Sequence, residues 1–296
     1  MIAGATCSGK TELALALAER FDAEIVGADS RQIYRGMTIG TAAPTERERA
    51  RVPHHLVEIL DPHERYSAAR FAADATAAIV AIRARGKRAI VVGGTGFYVR
   101  ALAGDVTLSA AFDETLRARI AREARVHPPD VLHAWLASRD PRRAAAIAPG
   151  DRYRVARALE IALAPPGAAR AGEAEPPATL RSAGIPFLKA GLDVAPNVLD
   201  ARIAERIERM LEAGLVAEAE RIGAEAVAAD AVGYPQALAY LAGLSTDNEL
   251  RASLVRATRR YARRQLTWFR REPGLVRLAP ADVADAARAV LGWRRR

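Results

Sequence analysis

Cysteine is nearly absent from this chain of 296 residues, which has a single one, Cys7. One cysteine excludes a disulfide-stabilised scaffold. The sequence also has no run of about 18 apolar residues, so no segment is expected to span a membrane. A phosphate-binding motif begins at residue 4 and leaves little room for a signal peptide before it, so we expect a cytoplasmic protein.

Lysine is scarce as well. Only positions 10, 87 and 189 carry it, although lysine and arginine together number 44. Because alanine is abundant, part of this preference for arginine is typical of a GC-rich coding bias. That bias does not explain the net charge of +9, whose excess of bases is concentrated near the C-terminus. The charge predicts an anionic partner, with nucleic acid as the first candidate.

The most informative stretch reads GATCSGKT at residues 4–11 and is called the phosphate loop below. Its G-x-x-x-x-G-K-T pattern predicts an anion site built from backbone N–H groups, the Lys10 charge and the Thr11 hydroxyl, which is placed to hold Mg²⁺. Residues 11–21 predict a helix whose N-terminus adds a favourable dipole. Only three residues precede the loop, so either the first strand is unusually short or the start lies upstream. The predicted diphosphate-binding residues are Gly4, Ala5, Thr6, Cys7, Ser8, Gly9, Lys10 and Thr11.

Strands and helices alternate through the first hundred residues. Residues 24–28 and 89–92 predict buried strands, and the second of them ends in the glycine-rich turn GGTG. This alternation predicts a parallel sheet covered by helices. Asp29 and Thr95 follow the two strands, so both are expected at the sheet edge where ligands bind. The glycines of the turn are expected to let the backbone approach a ligand.

The pattern changes after residue 110. Helices are predicted at 113–126, 131–137 and 152–163 with no strand between them, so residues 111–163 are interpreted as a helical insertion domain. Residues 164–178 are rich in proline, glycine and alanine and predict a flexible loop. Residues 1–110 and 179–296 then form the α/β core. A strand is predicted at 187–194, and Asp200 is predicted to cap a helix over 201–213.

Arginines cluster on two predicted helices. Arg202 and Arg206 are four residues apart, share one helix face and suit a diphosphate. Residues 248–271 predict a helix with an apolar stripe, and seven arginines occupy its remaining faces, which favours contact with a polyanion. Tyr261 and Trp268 are interpreted as core anchors. The paired His54 and His55 lack a third metal ligand and are given a structural role.

These segments together resemble the tRNA dimethylallyltransferases, also called tRNA isopentenyltransferases. The resemblance spans nearly the whole chain, in the order of the family. A phosphate loop by itself indicates only some phosphate-binding protein, whereas DSRQIYRGM followed by VPHHL and RRQLTWFR is far more specific. The other matching segments are VVGGTGFYVRAL, RYRVARALE, ARIAERIERMLEAGL and VGYPQAL.

The resemblance implies a nucleotide-kinase-like P-loop fold with an inserted all-helical domain. It also implies transfer of a dimethylallyl group from dimethylallyl diphosphate to N6 of the adenosine 3′-adjacent to the anticodon of tRNA, with release of diphosphate. Mg²⁺ is the implied cofactor, and a monomer that binds the anticodon stem-loop is the implied state. Two departures from the family, Pro235 in place of a basic residue and Asp230, put RNA contact there in doubt.

The same resemblance suggests roles for individual residues. Asp29 is the candidate base for the adenine amine, and Lys10, Thr11 with Mg²⁺, and Arg206 are expected to stabilise the departing diphosphate. Ser30 and Gln32 are expected to hold the edge of the base. The predicted RNA-contacting residues are Asp29, Ser30, Arg31, Gln32, Thr95, Arg117, Tyr153, Arg154, Arg157, Arg263, Arg264, Gln265, Trp268 and Arg270.

Three alternatives remain. A small-molecule or nucleotide kinase shares the loop and sheet, but it predicts a strand that ends in a metal-holding aspartate, whereas residues 90–92 are followed by two glycines. An RNA-binding protein with a relict loop predicts loss of Lys10, Thr11 or Asp29, and all three are present. An enzyme that prenylates free adenine nucleotides is chemically close, but the arginine-rich helix favours a polyanionic acceptor.

Overall fold

The computed structural model describes residues 1–106, 108, 114–164 and 178–293. The chain divides into two compact units. The first comprises residues Met1–Thr107 and Pro177–Arg296, and the second comprises Leu108–Pro176. Residues 165–177 of the predicted flexible loop lie outside the described residues, as does residue 113 at the predicted start of a helix.

A six-stranded sheet, counted over the described residues, lies at the centre of the first unit. All its neighbouring strands are parallel, in the order β3-β2-β4-β1-β5-β6. This pairing confirms the predicted parallel sheet. Its faces are covered by helices, because parallel strands need crossover segments that pass over the sheet. The strands are β1 (Ile2–Ala3), β2 (Ala23–Gly27), β3 (His54–His55), β4 (Arg88–Gly93), β5 (Lys189–Leu192) and β6 (Leu275–Leu278).

Helices make up most of the rest of the described chain, and four of them, α6 to α9, belong to the second unit. The helices are α1 (Lys10–Phe21), α2 (Thr38–Thr41), α3 (Glu46–Arg51), α4 (Ala68–Ala84), α5 (Gly96–Ala103), α6 (Glu114–Val126), α7 (Pro129–Arg139), α8 (Pro141–Ala146), α9 (Arg152–Leu163), α10 (Pro196–Glu212), α11 (Leu215–Ile222), α12 (Tyr234–Leu241), α13 (Asp247–Phe269) and α14 (Val283–Leu291). None of the helices in the described ranges is both long and apolar enough to cross a bilayer.

Local capping explains where several helices start. The Ser67 hydroxyl accepts a hydrogen bond from the Arg70 N–H and so caps α4. Thr246 and Glu249 form a reciprocal capping box at the start of α13. These short-range bonds satisfy N–H groups that a helix leaves unpaired in its first turn.

The start of one predicted helix, its cap and the length of one predicted strand need correction in the C-terminal half. Helix α10 begins at Pro196 and not at residue 201, because proline is favoured in the first turn of a helix. Asp200 therefore lies inside the helix and does not cap it. Asp200 instead pairs with Arg259 at 3.0 Å. The strand predicted at 187–194 is shorter, because only Lys189–Leu192 pairs with its neighbours.

The core of the first unit lies on both faces of the sheet. One apolar cluster joins α1 to the sheet through Leu15, Phe21 and Ile25, and another joins α4 and α5 through Phe71 and Tyr98. Each fully buried side chain of this size contributes about 1.5–3 kcal/mol. The two clusters hold β1, β2 and β4 side by side, which fixes the loops that follow these strands.

The second unit has a small core of its own. It is formed by residues of α6, α7, α8 and α9, with Leu132, Leu136 and Val155 fully buried. The Asp151 carboxylate caps α9 by accepting from the Arg154 N–H at 3.1 Å.

Candidate active site

The candidate site is a cleft of about 920 Å³ at the carboxyl edge of the sheet. Strand β4 lies between β2 and β1, so the loops after these three strands are neighbours. The phosphate loop follows β1, Asp29 comes shortly after β2, and Thr95 comes shortly after β4. Ligands bind at this edge in open parallel sheets, and the topology brings the predicted residues to it.

The phosphate loop has the backbone of an anion-binding nest. Cys7 and Gly9 both have left-handed dihedrals, with φ of 61° and 84°. This alternation turns successive N–H groups toward one concave side. Helix α1 begins at Lys10, so its positive end also faces the loop. The loop packs tightly on itself, because a Cβ at Gly4 would lie 2.9 Å from the Ser8 hydroxyl.

Lys10 is held inside this loop. Its Nζ donates to the Ala5 carbonyl at 3.0 Å. Burial lowers the pKa of Lys10 to about 8, the nearby Asp29 carboxylate opposes that change, and Arg206 adds to it. A bound phosphate would supply negative charge that further favours the ammonium form, so the lysine is suited to an anionic ligand.

Asp29 and Thr95 meet at the ends of β2 and β4. One Asp29 oxygen accepts from the Arg31 N–H at 2.9 Å, which fixes the carboxylate, and none of the described residues bonds to its other oxygen. The Ser30 N–H donates to the Thr95 hydroxyl at 2.9 Å, and that hydroxyl lies 3.2 Å from the Ser30 hydroxyl. The three predicted site residues are therefore neighbours.

The Gln32 side chain has a fixed orientation. Its nitrogen donates to the carbonyls of Thr41 and Ala42 at 3.1 and 2.9 Å. Since carbonyls only accept, the nitrogen must face them, and the side-chain oxygen has no partner within the described residues. An unpaired acceptor beside Asp29 and Ser30 suits a ligand that carries an N–H donor.

Two arginines of α10 reach the same cleft. Arg202 donates to the Cys7 carbonyl of the phosphate loop at 3.4 Å, and Arg206 donates to the Thr41 carbonyl at 3.3 Å. Both side chains line the cleft. The structure therefore places the arginine pair beside the predicted diphosphate site.

The residues fit a magnesium ion that has few protein ligands. No cluster of three or more His, Cys, Asp or Glu side chains able to hold a metal occurs in the described ranges. The Thr11 hydroxyl lines the cleft and has no hydrogen-bond partner among the described residues. Mg²⁺ often keeps several waters and binds substrate phosphates with few protein ligands, so Thr11 fits such an ion.

The paired histidines, His54 and His55, make contacts within the protein. His55 pairs with the buried Glu24 at 2.7 Å, and His54 Nδ1 donates to the Val52 carbonyl at 2.7 Å. Burial lowers the pKa of His54. The His55 ring connects the edge strand β3 to β2, whereas the His54 ring bonds within its own segment.

Two glycines after β4, Gly94 and Gly96, make room for protein groups, whereas Gly93 at the end of the strand lines the cleft. A side chain at Gly94 would overlap the Gln265 amide, and one at Gly96 would overlap the Trp268 indole. Gln265 and Trp268 lie one turn apart on α13. The turn is therefore glycine-rich because a distant helix packs against it.

Helix α13 carries both exposed and interior members of the predicted RNA-contacting set. Arg263, Arg264 and Arg270 are exposed. Gln265 is only 6% exposed, and both ends of its amide bond to the protein interior, which argues against direct RNA contact. Trp268 is half-buried, and its Nε1 donates to Glu272 at 3.2 Å.

Tyr261, which precedes these residues on α13, differs from the predicted core anchor. It is half-buried and lines the cleft. Burial raises the pKa of Tyr261, and the Asp29 carboxylate raises it further. The phenol therefore stays neutral beside the candidate base.

The remaining predicted RNA-contacting residues differ in their exposure and in their ion pairs. In the second unit, Tyr153 is 76% exposed, whereas Arg117 and Arg157 pair with the buried Glu160 at 3.5 and 2.8 Å. Arg154 is exposed and lies 3.4 Å from Asp151. In the first unit, Arg31 makes a two-pronged ion pair with Asp230, through oxygens at 2.9 and 3.0 Å.

The chain is similar to known proteins over nearly its whole length. The family model described as "IPP transferase" matches residues 32–272. A tRNA dimethylallyltransferase of Anaeromyxobacter dehalogenans is 46% identical over 291 residues, which cover 97% of this chain and 96% of the relative. One of Geobacter sulfurreducens is 43% identical over 282 residues, with coverage of 93% and 89%.

Solved structures are similar over the same length. The tRNA isopentenylpyrophosphate transferase of Bacillus halodurans matches with a TM-score of 0.69 and 35% identity, covering 98% of this chain and 95% of that one. A eukaryotic dimethylallyltransferase acting on tRNA matches with a TM-score of 0.74 and 27% identity, covering 98% and 76%.

Proposed function

The chain belongs to the IPP transferase family of tRNA dimethylallyltransferases, and on that premise we propose the reaction that its site performs. It transfers the dimethylallyl group of dimethylallyl diphosphate to N6 of the adenosine 3′-adjacent to the anticodon of tRNA and releases diphosphate. The observation that carries this proposal is the shared cleft. An anion-binding loop, a fixed carboxylate and an unpaired amide oxygen line it together.

Asp29 serves as the base. The exocyclic amine of adenine is a weak nucleophile because its lone pair is delocalised into the ring. As N6 bonds to the allylic carbon, the carbon–oxygen bond to diphosphate breaks with its electron pair, and the N6 proton passes to Asp29. The hydrogen bond from the Arg31 N–H holds one oxygen, so the other is free to accept that proton.

The phosphate loop binds the leaving group. Negative charge grows on the diphosphate as its bond to carbon breaks, and groups already pointed at it stabilise that charge. Lys10, Arg202 and Arg206 supply positive charge beside the inward-facing amides. Thr11 would hold Mg²⁺, which when bound neutralises phosphate charge. The loop thus binds a prenyl donor without phosphoryl transfer.

The target base is held by its edge. An adenine must leave its stack to enter an enclosed site. The Gln32 side-chain oxygen is fixed as an acceptor and suits the second N6 hydrogen. The Ser30 hydroxyl, which bonds to Thr95, lines the same cleft. The exposed Arg263 and Arg264 of α13, and Arg270 directly after it, bind the RNA backbone. Tyr153 and Arg154 of the second unit also bind RNA.

A kinase is the second candidate, and one observation disfavours it. Strand β4 is followed by Gly94, whose neighbouring space is filled by Gln265, so no metal-holding carboxylate is placed there. The arginine-rich surface of α13 likewise favours a polyanionic acceptor over a small one.

Mass spectrometry tests the proposed function. The protein is mixed with Mg²⁺, dimethylallyl diphosphate and an unmodified tRNA with adenosines at and beside the target position, and the digested RNA is searched for N6-dimethylallyl adenosine. We expect one modified site in the wild type. In Asp29→Asn the rate falls on the order of 10²–10⁴-fold while tRNA affinity is kept.

The matched control is Asp285→Asn, an exposed acid on α14 that pairs with Arg288. It should react like the wild type. ATP consumption on a small acceptor, without RNA product, would replace this proposal with a kinase.

A further inference from the structure

Gln265 ties two loops of the site together from the side of the RNA-binding helix. Its Oε1 accepts from the Thr6 N–H at 2.8 Å, and its Nε2 donates to the Gly94 carbonyl at 2.8 Å. The amide orientation is unambiguous, because an N–H only donates and a carbonyl only accepts. One side chain thus joins the phosphate loop after β1 to the turn after β4.

The surroundings leave Gln265 little freedom. The side chain is 6% exposed, and the absence of a side chain at Gly94 lets the amide reach the carbonyl. One turn further along α13, Trp268 fills the space beside Gly96. Trp268 in turn bonds to Glu272, which pairs with the buried Lys189 at 2.5 Å. These contacts hold α13 against the sheet edge, so Gln265 has a fixed position.

Thr6 lies inside the anion-binding nest, one residue before the left-handed Cys7. Its N–H is buried and uses Gln265 as its acceptor. A buried donor without a partner is costly, so loss of Gln265 would favour other loop conformations that satisfy the Thr6 N–H. Those conformations would turn the neighbouring amides away from a bound phosphate.

We propose that Gln265 is a positioning residue for the diphosphate donor, although it lies on the helix that exposes the RNA-binding arginines. This inference rests on the proposed function for the identity of the donor. Gln265 preorganises the phosphate loop and does not touch RNA. Its replacement therefore weakens diphosphate binding and leaves RNA binding intact. Arg263, two residues earlier and exposed, has the opposite role.

Inorganic pyrophosphate is the probe, and the sole cysteine reports its binding. Cys7 lines the cleft within the phosphate loop, so bound pyrophosphate protects it from alkylation. We expect Gln265→Met to raise the pyrophosphate Kd by roughly 5- to 50-fold, since the hydrogen bonds are lost at similar volume. The Kd for tRNA should stay within about twofold of the wild type by the same reasoning. The matched variant Arg263→Met should raise only the tRNA Kd.

Gln265→Glu tests the role of Gln265 through the pH dependence of pyrophosphate binding, which a merely structural role would leave unchanged. An ionised glutamate accepts from Thr6 but repels the Gly94 carbonyl, whereas a protonated one accepts and donates as glutamine does. Burial raises the pKa of a carboxyl at this position. By calorimetry, the ratio of its pyrophosphate Kd to that of the wild type should fall toward one as the pH is lowered. The ratio for Gln265→Met should not.

The outcomes separate the two proposals. Unchanged pyrophosphate binding in Gln265→Met, or a pH-independent ratio in Gln265→Glu, overturns the role of Gln265 even if RNA is prenylated. A rise in the tRNA Kd alone also overturns it. Weakened pyrophosphate binding in a protein that makes no prenylated RNA supports the role of Gln265 and refutes the reaction.

Discussion

The Ser30 N–H donates to the hydroxyl of Thr95 at 2.9 Å, although the two residues are 65 positions apart in the sequence. This bond links the ends of β2 and β4, which are neighbours in the sheet. It fixes the backbone directly after Asp29, whose side chain lines the cleft. The candidate base is thus positioned by a side chain from another strand.

Replacing Thr95 by valine should impair catalysis. The variant keeps the shape but removes the acceptor of the Ser30 N–H, so we expect a loss of about 1–3 kcal/mol in stability and a lower turnover number. Thr95→Ser keeps the hydroxyl and should remain close to the wild type. Steady-state kinetics and urea unfolding measure both effects. A loss in Thr95→Ser without a loss in Thr95→Val would show that the methyl group matters and the bond does not.

Lys10 should give a defined dependence of stability on pH. Burial lowers its pKa from 10.5 to about 8 in the folded protein, so the unfolded chain binds more protons between these values. The Lys10 contribution to the free energy of unfolding therefore rises as the pH increases through that window and is least favourable below about pH 8.

Urea unfolding of the wild type and Lys10→Met checks this sign. The variant should gain stability relative to the wild type at neutral pH, and the difference should shrink toward pH 10. A constant difference across this range would mean that the lysine is not desolvated.

The packing of Trp268 against Gly96 predicts the effect of a single methyl group. In Gly96→Ala the added methyl would overlap the indole, and relieving such overpacking typically costs about 1–3 kcal/mol. Gly150→Ala is the control, because no atom lies within 4 Å of the added methyl there. Thermal unfolding should show a lower midpoint for the first variant only. Equal midpoints would mean that α13 shifts without cost.

Removing the charge of Asp230 should strengthen RNA binding. Asp230→Asn frees Arg31 from its ion pair and removes a negative charge from the cleft. We expect the tRNA Kd to fall several-fold and the slope of log K against log salt to steepen by about one. Binding titrations at several salt concentrations measure both. Asp285→Asn, on α14, should change neither, and no change in Asp230→Asn would show that RNA does not reach Arg31.

The double variant Arg263→Ala, Arg264→Ala tests the RNA face of α13. Both side chains are exposed, so their loss should weaken tRNA binding and flatten the salt slope by about two. Pyrophosphate protection of Cys7 should stay as in the wild type. An unchanged salt slope would remove α13 from the RNA interface.

Several features of this protein follow from local sequence. The phosphate loop, the Ser67 cap and the helix at residues 152–163 depend on contacts between residues close in the chain. The parallel sheet followed from the alternation of elements, because parallel strands require crossovers. The edge strands β3 and β6 were not predicted, since the two have only two and four residues, too few for a periodic signal.

The tertiary structure determined the long-range contacts around these features. The sequence alone determined that a phosphate-loop motif, a following carboxylate and a basic helix exist. It did not determine that the glycines after β4 accommodate Gln265 and Trp268, or that Asp230 pairs with Arg31. The Gln265 contact with Thr6 joins residues 259 positions apart, and no local propensity encodes such a contact. It arises because the sheet order and the packing of α13 bring two distant segments together, where the buried N–H must find an acceptor.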